Sequence, residues 1–223
     1  MRWLLTLYAF LIFSTIVSAQ ELNQQKGSLG IHIVPLSLFD FNPRLRLGLE
    51  LRENRLGYNI ELGWANHLFK DLAITETIWS DHYSFLEVRP GIKRYSYESE
   101  RMEKYFGAEL FYSYLSDQLF LDDYHEQNTG QNIYFEKANF HRHKIGLMLL
   151  AGFKWLVGNR FTIDYSSGFG FAHRSISYTD QVNPQIIEMD LEREEFYTPA
   201  RKKEGEYVIP QLSFQLKFGF LLK

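Results

Sequence analysis

A histidine and a serine one residue apart, His173 and Ser175, are the sharpest combination of chemical groups in the sequence. A neutral imidazole beside a serine hydroxyl can deprotonate it for attack on an ester, provided that a carboxylate orients the ring. Glu188 is the candidate for that carboxylate. These three residues predict hydrolysis of an acyl ester. The alternative is a histidine and a serine that only mark the end of a strand.

Two further groups of polar residues have the atom types of metal ligands. His141 and His143 share one face of a strand, and imidazole and carboxylate groups bind transition metals. The acidic run 188–195 has carboxylates suited to calcium that bridges lipopolysaccharide phosphates. For both groups the alternative is a solvated loop. We expect no cofactor, because the sequence has no glycine-rich phosphate loop. The other candidate metal ligands are His125, Asp122, Asp123 and Glu126.

The N-terminal segment has the composition of a secretory signal peptide. Met1 and Arg2 precede an apolar run that ends in small residues at Ala19, so we expect a signal over 1–19 and a short polar leader over 20–27. A membrane anchor is the alternative, although a spanning helix needs about 20 apolar residues. The sequence contains no cysteine, which excludes disulfides and a cysteine-linked lipid.

Most of the remaining chain alternates between apolar and polar residues, as β-strands with two different faces do. The clearest segments are 44–52 and 211–220, and in both leucines or phenylalanines occupy every second position. We therefore predict an all-β protein, a single antiparallel up-and-down barrel of about eight strands over 28–223. The net charge of −3 offers no case for nucleic-acid binding. The predicted strands are 29–38, 44–52, 58–65, 86–93, 106–114, 144–155, 161–171 and 211–220.

The predicted connections are short at one end of the barrel and long at the other. Turns are expected near 53–56, 96–103 and 156–159, and the opposite connections are 39–43, 67–83, 117–140 and 178–207. Short periplasmic turns and long outer loops are typical of bacterial membrane barrels. The first strand loses its alternation at Val34, Pro35 and Leu36, which predicts a bulge or kink.

The apolar face is predicted to point outward. Eight strands leave an interior just wide enough for side chains, and four or five large apolar residues from every strand would overfill it. Glycines on the polar face would relieve crowding inside. Outward apolar faces predict a transmembrane barrel in an outer membrane. The alternative is a soluble lipocalin-like carrier with its apolar face inside. The predicted lipid-facing residues are Leu45, Leu47, Leu49, Trp64, Trp155, Phe214 and Phe218.

The polar face then places charges of both signs in the interior. Buried charges are tolerated when they are paired and hydrogen-bonded, so we predict a salt-bridged plug. A small ion path lined by a modest cationic excess is the alternative. The predicted network contains Arg44, Arg46, Glu50, Glu61, Glu87, Arg89, Lys93, Glu109, Lys144, Asp164 and Lys217.

Over nearly the whole mature chain, the strand count, the loop asymmetry and the terminal strand resemble small outer-membrane β-barrel proteins of the OmpA/OmpX type. The terminal residues 217–223 resemble the signal by which assembly machinery recognises outer-membrane strands, although the chain ends in Lys223 rather than an aromatic residue. The resemblance implies insertion by the barrel-assembly machinery, and contact with outer-membrane lipid and lipopolysaccharide.

His173 and Ser175 alone also resemble the His-x-Ser arrangement of outer-membrane lipid A deacylases, which are eight-stranded barrels with lipid-facing catalytic residues. Three functions therefore stay open. The first is a non-enzymatic barrel with a structural or surface-interaction role through long outer loops. The second is a lipid-modifying hydrolase that uses Ser175, His173 and Glu188, and the third is the soluble periplasmic carrier.

Overall fold

The computed structural model describes residues 27–40, 42–72, 82–97, 101–127, 129–187 and 203–222. The predicted signal peptide and residues 20–26 of the predicted leader lie outside these ranges. Within them the protein is all-β, with nine strands and two short 3-10 helices, Pro35–Phe39 and His67–Leu72. No helix in the described part is long and apolar enough to cross a membrane. The strands are β1 Gly27–Ile33, β2 Leu45–Glu53, β3 Leu56–Asn66, β4 Ser84–Tyr97, β5 Met102–His125, β6 Asn132–Val157, β7 Phe161–Val182, β8 Gln185–Ile187 and β9 Gly205–Leu221.

Eight of these strands form one antiparallel sheet that closes into a ring. Strands β1 to β7 pair in sequence, β7 pairs with β9, and β9 closes the ring on β1. Strand β8 stands apart from the ring and pairs only with the first residues of β6. The prediction of a single antiparallel sheet of about eight strands is confirmed.

The two ends of the ring differ in how their strands are joined. At one end, which we call the turn end, β2 and β3 are joined through Asn54 and Arg55, and β6 and β7 through 158–160. Asn54 has a φ of 54° and Gly158 a φ of 66°. These left-handed conformations favour asparagine and glycine. The first turn lies within the predicted segment 53–56, and the second overlaps the predicted segment 156–159 and ends one residue later.

At the opposite end, the extended end, β5, β6 and β7 continue beyond the other strands. The prediction of a connection over 117–140 is wrong, because β5 runs to His125 and β6 begins at Asn132. Strand β7 likewise continues into the predicted connection 178–207, as far as Val182. Asp122 and Asp123, which are predicted to lie in a loop, instead pair with Phe135 and Tyr134 on β6.

Burial of aromatic side chains explains why the extension is ordered as strand. Tyr124 and Tyr178 stack with ring centroids 4.2 Å apart, and Phe135 and Phe140 pack against Tyr178. These residues belong to a buried apolar cluster that also includes Leu115. Stacked and edge-on aromatic pairs stabilise such a cluster beyond the area that they bury. The extension therefore has a hydrophobic core of its own.

Strand β1 is shorter than the predicted strand 29–38. It begins at Gly27, in the predicted leader, and ends at Ile33, after which Pro35 opens a 3-10 helix. Proline lacks an amide hydrogen and has a fixed φ, so it suits the start of a helix better than a paired strand. The Ser37 hydroxyl holds the helix in place by hydrogen bonds to the carbonyls of Val34 and Arg44, both at 2.7 Å.

Candidate functional site

The interior of the ring is lined by the polar face of the strands. Glu61 is fully buried, and Lys93, Glu109 and Lys217 are each only 1 % exposed. The middle of the ring is therefore filled mainly by charged side chains, beside one small buried apolar cluster of Phe111, Met148, Leu150 and Ala172, whereas a lipocalin-like carrier would have apolar side chains throughout its interior. Of the eleven residues in the predicted network, Lys144 is half-buried, and the buried ones are Arg44, Arg46, Glu50, Glu61, Glu87, Arg89, Lys93, Glu109, Asp164 and Lys217.

Nearest the turn end, Lys93 joins two carboxylates from opposite sides of the ring. Its Nζ lies 2.6 Å from Glu50 Oε2 and 2.8 Å from Asp164 Oδ2. The hydroxyls of Tyr95 and Tyr105 donate to Glu50 and Asp164, at 2.7 Å and 2.5 Å. Each carboxylate thus accepts at least one charge-assisted and one neutral hydrogen bond, which offsets the cost of burying it.

In the middle of the ring, Glu61 contacts basic side chains from three other strands, with hydrogen bonds from His32 and Lys217 and an ion pair with Arg46. His32 Nε2 lies 3.0 Å from Glu61 Oε1, Arg46 Nε lies 3.0 Å from Oε2, and the Lys217 ammonium also contacts Oε1. The predicted network does not include His32, although its place between Ile31 and Ile33 in an alternating segment puts it on the polar face. A side chain at Gly48 would collide with the His32 ring, so glycine is what allows this close approach.

Toward the extended end, Glu87 and Glu109 hold two arginines. Arg44 Nε lies 2.7 Å from Glu87 Oε2, and Arg89 Nη1 lies 3.1 Å from Glu87 Oε1. Arg89 Nε also donates to Glu109 Oε1 at 2.6 Å. Together the three groups of ion pairs connect seven of the eight strands of the ring, so they act as cross-braces of the interior.

The outer face carries the apolar side chains. Phe214 is 65 % exposed and Leu47 is 51 % exposed. Many large apolar side chains on this face are exposed to a similar degree, and together they form an apolar surface rather than isolated exposed residues. Of the other residues predicted to be lipid-facing, Leu49, Trp64 and Phe218 are exposed, while Leu45 and Trp155 are half-buried between neighbouring side chains.

His173 and Ser175 also lie on the outer face, near the extended end. His173 Nε2 is 3.6 Å from Glu206 Oε2, and Ser175 is the register partner of both His143 on β6 and Glu206 on β9. Among the described residues no hydrogen bond joins the serine hydroxyl to a histidine. Glu188, the predicted carboxylate, lies outside the described residues. The register of β7 with β9 places Glu206 beside His173 and Ser175. Nothing in the sequence near Glu206 predicts this contact.

The predicted metal site is not assembled. His141 and His143 lie against tyrosines, with Tyr114 at 3.0 Å from the Nδ1 of the first and Tyr112 at 2.9 Å from that of the second. His125 instead contacts Asn132, nine residue pairs further along the hairpin, or about 30 Å at ~3.3 Å per residue. The described part of the chain contains no group of three potential ligands that could hold a metal ion. The other predicted ligands, Asp122, Asp123 and Glu126, lie with His125 at the end of the β5–β6 hairpin. The acidic run 188–195 falls outside the described residues.

Comparison with known proteins gives no relative from which a function can be transferred. No family model, curated protein or solved structure matches the chain.

Proposed function

We propose that this chain is a non-enzymatic outer-membrane β-barrel protein of a Gram-negative bacterium. Its role would be structural or in surface interaction, through the extended end. One observation carries the proposal: the charged side chains are buried inside the ring and the large apolar side chains are exposed outside it. A continuous apolar outer face is stable in hydrocarbon and is an aggregation hazard in water.

Strand length supports the same location. A membrane-spanning strand needs about 9–11 residues. Strands β2 and β3 have 9 and 11 residues, and β4 has 14. Every strand of the ring except the seven-residue β1 is therefore long enough for one bilayer crossing, and the additional length of β5 to β7 would project beyond it.

The projecting hairpin is the part best suited to contact with the outside. Strand β5 pairs with β4 as far as Ser116 and then continues for nine more residues to His125. At ~3.3 Å per residue this is about 30 Å of paired strand with its own aromatic core. An ordered projection of this kind offers a rigid surface, and lipopolysaccharide would be its nearest neighbour.

Inside the ring, the paired charges support a plug in preference to an ion path. Lys93, Glu61 and Arg89 each form an ion pair with a residue on another strand. Their partners Asp164, Lys217 and Glu109 are buried as well. Opening a path would separate buried ion pairs, at a cost of several kcal/mol for each uncompensated charge, on the order of 3–5.

Membrane fractionation with a heat-modifiability gel tests the proposed function. We expect the protein in the outer-membrane fraction, inserted by the barrel-assembly machinery, with faster migration of unheated than of heated samples. Recovery as a soluble periplasmic protein would refute the membrane location and favour the carrier.

Hydrolysis of a lipid ester is a second candidate, and the contact of His173 with Glu206 beside Ser175 is the observation in its favour. Glu206 would orient the imidazole in place of Glu188, His173 would take the hydroxyl proton, and Ser175 would attack the ester carbonyl. Lipid A mass spectrometry on an overexpressing strain tests this. Loss of acyl chains that Ser175→Ala abolishes and Ser177→Ala retains would establish the enzyme, and an unchanged lipid profile would remove it.

A further inference from the structure

A cavity of about 500 Å³ lies toward the extended end, between the 3-10 helix Pro35–Phe39 and β9. Five arginine or lysine residues and two acidic residues line it, so its wall carries an excess of positive charge. Three of the five cations, Arg44, Arg46 and Arg89, have carboxylate partners in the interior network. The remaining charge comes from Arg142 and Lys144.

Arg142 and Lys144 are held by neutral groups only. Arg142 Nη2 donates to Asn42 Oδ1 at 2.9 Å, its buried Nε has no hydrogen-bond partner, and the Lys144 ammonium donates to Gln211 Oε1. Within the described residues, neither side chain forms an ion pair. Half-buried cations without a counter-charge are costly, and an anion placed between them would supply the missing partner.

The cavity also reaches the outer face of the sheet. Strand β1 pairs with β9 only between Gly30–Ile33 and Phe218–Leu221, so toward Gly205 the described chain has no strand on that side of β9. Leu212 and Phe214 line the cavity although their side chains point outward, where they are 63 % and 65 % exposed. The 3-10 helix adds Leu36 and Phe39, which are exposed as well.

We propose that this cavity binds an anionic lipid. Its phosphate would lie between Arg142 and Lys144, and its acyl chain would leave through the seam along Leu36, Leu212 and Phe214. The cationic end of the cavity matches the head group, and the apolar end matches the chain. The site rests on the proposed membrane location, since the acyl chain would enter from the bilayer. A free phosphate shares the head-group chemistry but makes no use of the apolar end.

Competitive lipid retention tests this site. The protein is reconstituted in vesicles with equal amounts of phosphatidylglycerol and phosphatidylcholine and extracted in a neutral detergent, and bound lipid is counted by native mass spectrometry. We expect wild type to retain phosphatidylglycerol preferentially. Arg142→Gln/Lys144→Gln should retain at least about tenfold less, since loss of even one charge-assisted hydrogen bond produces a change of that size. Lys137→Gln, on the opposite face of β6, should behave as wild type.

A single-site variant and the pattern of binding separate the possible outcomes. Lys144→Gln alone is the substitute if the double variant loses its heat-modifiable form, because within the described residues the Lys144 ammonium has neutral neighbours, Gln211 and the ring of Phe111. Equal retention of phosphatidylglycerol by wild type and the pocket variants would overturn the site. Tight binding of inorganic phosphate with no retained phosphatidylglycerol would overturn the lipid. Failure of wild type to insert into vesicles would overturn the proposed function together with the site, whereas insertion without lipid preference would overturn the site alone.

Discussion

Lys93 on β4 and Asp164 on β7 form an ion pair across the interior of the ring, with 2.8 Å between Nζ and Oδ2. The two residues are 71 positions apart in the chain, and β4 and β7 are not neighbours in the sheet. Lys93 also holds Glu50 on β2, so one ammonium group connects three strands. Replacement of Lys93 should therefore disturb the interior at several strands at once.

Removal of the Lys93 ammonium should destabilise the barrel. In Lys93→Met, Glu50 keeps Lys154 as a partner, but Asp164 loses its only described ion pair. Leaving a buried charge without its partner costs about 3–5 kcal/mol. Urea unfolding in detergent measures the difference in the free energy of unfolding. Lys144→Met is the matched control, because this interior lysine contacts an amide rather than a carboxylate. Equal losses in both variants would contradict the cross-brace interpretation.

A methyl group at position 48 should disturb the middle of the interior. The side chain of Gly48→Ala would collide with the His32 ring and approach Glu61, so both must shift. Overpacking of this kind costs about 1–3 kcal/mol. Thermal unfolding followed by heat modifiability would show a lower transition for this variant. Gly30→Ala is the control, since the nearest atoms to its methyl group would be 3.3 Å and 3.5 Å away. A transition for Gly48→Ala at or above that of wild type would contradict the close approach.

A charge on the outer face should impair membrane insertion only within the apolar belt. Leu49, near the middle of β2, is 46 % exposed, and Leu49→Arg should cost about 2–4 kcal/mol if that face contacts hydrocarbon. Ile186 on β8 is 66 % exposed but lies on the projecting extension, so Ile186→Arg adds the same charge outside the belt. Folding yield into lipid vesicles compares the two. Similar yields for both would argue against a lipid-facing belt.

Stability should depend on pH through Glu204, which precedes β9 on the extension. Burial raises the pKa of this carboxyl above its ordinary value, more than the hydrogen bond from the Tyr178 amide lowers it. The folded state therefore holds the proton more tightly than the unfolded state, and stability is lost as pH rises through the two pKa values. Glu204→Gln should gain stability over wild type as pH is raised from about 4 to about 7.

Thermal unfolding followed by heat modifiability, repeated across this pH range, checks the prediction for Glu204. Glu136→Gln, which removes an exposed carboxylate on β6 of the same extension, controls for the change in net charge. A constant difference between Glu204→Gln and wild type across the pH range would contradict the prediction.

The sequence by itself determined the strands of the ring and the two faces of each. Along Leu45–Glu53, leucines alternate with charged residues and glycine, and successive side chains of a strand point to opposite faces. This pattern is local, so it can be read without any knowledge of neighbouring strands. The volume of an eight-stranded interior then determined which face turns inward. The interior contains the charged residues of the predicted network and further basic side chains that the network lacks, among them His32, Arg142 and Lys154.

Only the tertiary structure decided which residues meet across strands. The contact of His173 with Glu206 and the partners of Glu61 depend on the registers of β7 with β9 and of β1 with β2, which arise when the ring closes. The extension was missed for a related reason: Tyr124 and Tyr178 stabilise β5 and β7 by contacts between residues far apart in the chain. The cavity beside Arg142 has the same origin, because it exists where the short β1 leaves part of β9 without a partner strand.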